Sequence, residues 1–186
     1  MSFLFLLLAF LSVTGIYYFK KADIPSSYLP WEPLDLQEQL GPFSRLKLSS
    51  LKGNLPACLE ALDRAGISYS ALGDSEKAGC SLEDQVTLDQ SNYAYSQTVS
   101  GRCELIASLI VWEENILQPL VTEYFDSEIE RIRHSGIFSC RNIRGSSRRS
   151  QHASANAIDI SGFVLKNGTQ ISILRDWNDD NTAGLL

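Results

Sequence analysis

Four cysteines, Cys58, Cys80, Cys103 and Cys140, are dispersed through a chain of 186 residues. None belongs to a C-x-x-C pair, so neither a zinc ribbon nor a thioredoxin-type redox site is indicated. An even number of scattered cysteines behind an apolar leader fits disulfides made in an oxidising compartment, and hence an exported domain. All four are disulfide candidates. A Cys58–Cys80 bridge would staple a first helix to the loop after it. Cys103 and Cys140 stand at either end of a helical pair, where a second bridge is feasible.

The leader is the run F-L-F-L-L-L-A-F-L-S-V-T-G-I-Y-Y-F over residues 3–19, uncharged throughout and followed by Lys20 and Lys21. It is short for a membrane-spanning helix and long for a signal-peptide core, and no A-x-A cleavage pattern comes after it. Tyr17, Tyr18 and Phe19 beside two lysines suit a membrane interface. The expectation is an N-terminal transmembrane helix within residues 1–21, as a membrane anchor or an uncleaved signal. The lysines favour a cytoplasmic location for the domain on their C-terminal side, whereas the cysteines favour export. We expect inner-membrane anchoring through residues 3–19 with the domain in the periplasm. Residues 22–42 carry three prolines within nine positions and read as an extended tether, with Trp31 and Leu34 pinned to the domain surface. Residues 43–186 are the folded domain.

Apolar residues make up 44% of the chain, enough to bury a core. A net charge of −6 argues against a general nucleic-acid binder. The charge is uneven, however. Residues 131–149 hold six arginines and no acid. That stretch is either a solvated basic face or an anion- or carboxylate-binding rim beside a site.

Local signals point to an α+β fold, with helices packed on a small antiparallel sheet. Asn54 can cap a helix with Pro56 in its first turn and Gly66 after its end. Gln85 to Leu88 reads as a strand. Leu105, Leu109, Trp112 and Ile116 recur at helical spacing up to Gln118. Pro119 then opens a second helix, expected to run to about His134 with Leu120, Phe125, Ile129 and Ile132 inward. His134 would close that helix, where a cationic imidazole favours the dipole. Residues 158–174 form a β-hairpin about Asn167-Gly168, the strongest two-residue turn signal. That turn also accounts for the glycosylation-like triplet Asn167-Gly168-Thr169. The chain from Arg175 onward has turn composition, with no further strand or helix expected.

The stretch S-Q-H-A-S-A-N-A-I-D-I, residues 150–160, places His152 seven residues before Asp159 with small residues between. Small residues let backbones approach closely, and His with Asp is a sensible pair of zinc ligands. Asp159 lies in the apolar run A-I-D-I, where an unpaired carboxylate would be costly and a metal ion or an arginine would relieve it. The plain alternative is a polar turn in which His152 and Asp159 hydrogen-bond each other.

This stretch resembles the S-x-H-x-x-G-x-A-x-D metal motif of zinc peptidases that cleave bacterial wall peptides, the D-alanyl-D-alanine carboxypeptidase and lysostaphin-like group. More closely, the chain resembles the bacterial extensin-like C-terminal domain family. The likeness runs from P-W-E-P-L-D-L through C-E-L-I-A-S-L-I-V-W and G-I-F-S-C-R to the His152 stretch and Asp176-Trp177. It implies a zinc D-Ala-D-Ala peptidase-like fold, His152 and Asp159 as metal ligands, and Arg141 as the guanidinium that polarises a scissile carbonyl. The implied cofactor is zinc, and the implied partner is a peptidoglycan stem peptide, to be hydrolysed. The alternative is a non-catalytic envelope protein that binds wall peptide or a protein partner. Ala155 stands where the peptidase pattern has glycine. The group draws its third ligand and general base from a later H-x-H segment, and no histidine comes after His152. The chain thus reads as C-terminally incomplete or as a member that has lost its chemistry, with Asp176, Asp179 and Asp180 as the remaining carboxylates.

Overall fold

The side chain of Asn54 accepts a hydrogen bond from the amide of Ala57 (3.3 Å), and Pro56 fits the first turn where no amide partner is needed. These two residues start a helix in the computed structural model, which describes residues 24–177 together with Phe5, Leu7, Ser12 and Thr14. Helices α1 (Ser44–Ser50), α2 (Leu55–Arg64), α3 (Cys103–Trp112), α4 (Gln118–Phe125) and the single turn α5 (Ile173–Asp176) are joined to nine strands. A π-helical turn, Glu113–Leu117, welds α3 to α4.

Strands β1 (Ser68–Ala71), β4 (Gln85–Gln90) and β6 (Val99–Arg102) form one antiparallel sheet, and β2 (Ser75–Lys77) with β3 (Cys80–Leu82) a separate ribbon. The other sheet has the order β5 (Ala94–Tyr95), β7 (Ile129–His134), β8 (Ile160–Leu165), β9 (Gln170–Ser172). Its β5–β7 pair is parallel and the rest antiparallel. The α+β class is as expected, but two sheets and a ribbon replace the single small antiparallel sheet.

Two apolar cores result from this division. Leu62 of α2, Ile106 and Ile110 of α3, and Val86 and Val99 of the first sheet fill one. Leu117 and Val121 pack on Ile129, Ile132, Phe163 and Leu165 of the second sheet to fill the other. Trp112 touches both, so the helical rod 103–125 is shared by the two halves. Leu36 is fully buried and Leu34 nearly so, whereas Trp31 is exposed. Leu34 is thus pinned as expected, and Leu36, not Trp31, is its companion.

The structure corrects several expectations. Among the described residues no helix is long and apolar enough to cross a membrane, so the transmembrane helix expected at the N-terminus is unsupported; most of residues 3–19 lie outside the described residues. The second helix stops at Phe125, because Asp126 takes the left-handed conformation (φ 45°), and residues 129–134 are strand β7. The disulfides are Cys58–Cys103 and Cys80–Cys140, not the pairs nearest in sequence. The first joins α2 to α3 across the core; the second ties β3 to the segment before the arginine-rich loop. Residues 173–176 make a short helix, where the hairpin was expected to run to residue 174 and turn to follow from Arg175. The hairpin about Asn167-Gly168 forms as predicted, with Asn167 Oδ1 accepting from the amide of Thr169 (3.0 Å).

Candidate functional site

Ser150 caps a 3₁₀ turn over Gln151–Ser154, its hydroxyl oxygen accepting from the amide of His152 (3.4 Å). Ala155 then turns left-handed (φ 52°), a conformation that glycine adopts without strain and alanine rarely. The small residues have a spatial purpose. Ala153 and Ala155 are buried, and the carbonyl of Ala155 accepts from the amide of Arg102 in β6 (2.9 Å). At neighbouring Gly101 a Cβ would sit 2.7 Å from that same carbonyl, so only glycine lets the loop lie this close to the strand.

That seating aims His152. Its Nδ1 lies 2.8 Å from the carbonyl of Ile137, and its Nε2 lies 3.3 Å from Asp159 Oδ1. A carbonyl only accepts, so Nδ1 carries the hydrogen, and in the neutral ring Nε2 presents a lone pair. Asp159 is held in turn by its backbone, which exchanges bonds with Ser135 (2.8 Å) and Gly136 (3.0 Å). A lone pair facing a carboxylate oxygen at this distance calls for something positive between them, either a proton on the ring or a metal ion. The carboxylate of Asp159 is 65% exposed, so it is open to a ligand and bears little of the burial cost expected from its apolar neighbours.

The pair meets one test for zinc. Donors about 2.0–2.2 Å from a tetrahedral zinc lie roughly 3.3–3.6 Å apart, and a ligating histidine ordinarily donates its other nitrogen to a carbonyl or carboxylate. The second requirement, a third protein ligand, is not met: among the described residues no three His, Cys, Asp or Glu side chains come together in a way that could hold a metal. Asp176 accepts from Arg175 and from the amide of Ser172 (2.8 Å), and Arg175 holds its carboxyl below the usual range. Asp179 and Asp180 lie outside the described residues.

Arg141 is exposed, and its carbonyl accepts from the amide of Ser150 (3.1 Å), the residue that caps the His152 turn. The Cys80–Cys140 bridge fixes the position immediately before it. His134 has a different place from the one expected: it ends β7, is buried, meets the carbonyl of Gln97 through Nε2 (3.2 Å), and sets its ring edge-on to Tyr95.

A second polar cluster escaped the sequence reading. Glu113, in the π-turn, is fully buried and accepts from the hydroxyls of Ser91 and Tyr95. Burial raises its carboxyl to about 7. The signal was present: Glu113 falls on the same helical stripe as Ile106, Ile110 and Leu117. Ser91 and Tyr95 also line a cleft of about 520 Å³ formed by residues 87–95 and 97–99.

The family model described as "Extensin-like protein C-terminus" matches residues 56–186, which takes in both disulfides, Arg141 and the His152–Asp159 pair. No curated protein and no solved structure matches the chain.

Proposed function

The chain belongs to the extensin-like C-terminal family over residues 56–186, and from that premise we propose an exported cell-envelope domain related to the zinc peptidases, with wall stem peptides as its substrate. His152 and Asp159 are its two metal ligands. The observation that carries this reading is the facing of His152 Nε2 and Asp159 Oδ1 at 3.3 Å with Nδ1 locked on the carbonyl of Ile137. The two disulfides support export, since such bridges persist in oxidising compartments.

A divalent metal held there would supply Lewis-acid polarisation of a peptide carbonyl. The protein's own contributions are separable. The carbonyl of Ile137 fixes the imidazole tautomer and ring orientation. The left-handed turn at Ala155, seated against Gly101, sets the spacing between the two ligands. Arg141 offers a guanidinium to negative charge developing on a substrate oxygen.

A second reading, a domain that binds wall peptide without cleaving it, is favoured by the lack of a third ligand among the described residues. The full chain, incubated with zinc and a D-alanyl-D-alanine-terminated stem peptide, separates the two by mass spectrometry of the products. Hydrolysis that is lost in His152→Ala and falls by roughly 10²–10³-fold in Arg141→Ala supports the peptidase. Retained, uncleaved peptide supports the binder. Neither binding nor cleavage removes both.

A further inference from the structure

Residues 141–149 leave the domain as a narrow loop, every one of them exposed. It is nonetheless ordered by its own hydrogen bonds. Asn142 and Arg149 form an antiparallel bridge, the amide of Ile143 donates to the carbonyl of Arg148 (2.9 Å), and that of Ser146 to Ile143 (3.0 Å). At its foot, the amide of Ser150 donates to the carbonyl of Arg141 (3.1 Å), and Cys140 is bonded to Cys80. The loop carries Arg141, Arg144, Arg148 and Arg149 and no acid. Among the described residues none of these four takes part in an ion pair; of the arginines outside the loop, Arg64, Arg102 and Arg175 do, while Arg45, Arg131 and Arg133 do not. Four guanidiniums in nine positions thus have no acidic partner among the described residues, in a chain with 22 acidic residues and a net charge of −6.

Beneath the loop lies a cleft of about 260 Å³, lined among others by Gly79, Ser81, Arg149, Ser150 and Gln151, with no acidic residue in its wall. The hydroxyl of Ser150 already accepts from His152 and keeps its proton to donate outward. Lys77, exposed in β2 and poised over the ring of Phe138 at 5.3 Å, adds another cation near the foot of the loop, since its strand pairs with Cys80.

We propose that the arginine loop and the cleft at its foot are a docking surface for a linear, phosphate-bearing polymer of the cell envelope. The proposal takes only its location from the envelope reading above; it does not require metal or hydrolysis. A polymer fits better than a single ion because the guanidiniums are distributed over both limbs and the tip of the loop, so no single anion reaches more than a part of them. Phosphate fits better than carboxylate because of the arrangement of its acceptor sites. A phosphodiester holds its charge on two non-bridging oxygens, as a carboxylate does, but each of these accepts from several directions around its P–O bond, enough to engage an arginine fork together with a hydroxyl or amide donor, while the acceptor sites of a carboxylate lie in one plane. The use of arginine throughout the loop, with no lysine, agrees with paired recognition of oxyanion edges.

The test uses the full chain with inorganic polyphosphate as the probe and polyglutamate of matched charge as the comparison, each titrated across a range of salt concentrations. The variant carries Arg144→Gln, Arg148→Gln and Arg149→Gln together, all at exposed positions. Binding of polyphosphate at low salt, weakened at least tenfold in the variant, is the expected result. The log–log salt slope should flatten by roughly 0.7–0.9 for each arginine that contacts phosphate. Equal affinity of the variant and the parent would overturn the proposal, as would polyglutamate bound as tightly as polyphosphate. Zinc uptake, measured on the same samples, reports on His152 and Asp159 alone and distinguishes a failure of the metal reading from a failure of this one.

Discussion

At Glu113 a carboxyl is enclosed with Ser91 and Tyr95 as hydrogen-bond donors. Burial lifts its pKa from 4.5 to about 7, and pushes the Tyr95 phenol upward as well, so that the tyrosine stays a donor. The folded state therefore holds the Glu113 proton more tightly than the unfolded chain does. The stability this provides is fully present below about pH 4.5 and is lost as pH rises through about 7. The loss is on the order of 3 kcal/mol. Urea midpoints between about pH 5 and pH 8 should fall in the parent and stay nearly level in Glu113→Gln, which keeps an acceptor for Ser91 or Tyr95 but cannot ionise. Parallel pH profiles in the two proteins would show that Glu113 does not carry the dependence. At this scale the sequence was legible where one residue has one reason to be there, as with Asn54 at a helix start and Asn167-Gly168 in a turn. It was less legible where burial is set by distant packing. Asp159 sits in an apolar run yet faces outward, and His134 looked like a helix cap yet ends a strand.

Among the elements, β7 shows how a strand can imitate a helix. Its register shifts between Ile129 and Arg131, so the buried residues Ile129 and Ile132 are three apart instead of two. Coming after Leu120 and Phe125, that spacing continues a helical pattern that the left-handed Asp126 has already ended. The disulfide pairing departs from chain proximity for a related reason. Chain proximity suggested Cys58–Cys80, but α2 packs against α3, and this brings Cys58 to Cys103 across 45 residues of sequence. Loops of 45 and 60 residues each restrict the unfolded chain by roughly 4 kcal/mol. The two bridges differ in what they hold. Cys58 and Cys103 are buried in the core, whereas the Cys80–Cys140 bridge fixes the foot of an exposed loop. Replacing Cys80 and Cys140 by alanine should lower the denaturant midpoint and also admit trypsin at Arg141–Arg149 under native conditions. Replacing Cys58 and Cys103 should lower the midpoint without that selective cleavage. Identical native digestion patterns for the two double variants would contradict the assignment.

For the molecule as a whole, the helical rod from Cys103 to Phe125 joins two cores, and the candidate site lies where the segment 135–139 and the loop 150–159 meet β6 of the first sheet. The motif S-Q-H-A-S-A-N-A-I-D made this site visible in the sequence, because its small residues and polar spacing serve a local geometry. The close fit of Gly101 against Ala155, and the role of the Ile137 carbonyl in orienting His152, could not be read from the chain, since both depend on elements distant in sequence. The central claim is that His152 and Asp159 form a metal-binding pair. Zinc content of the purified, zinc-equilibrated chain, measured by elemental analysis after gel filtration, tests it most directly. The expected result is about one zinc per chain, lost in both His152→Ala and Asp159→Ala. A chain that carries no zinc, or variants that carry as much as the parent, would contradict it.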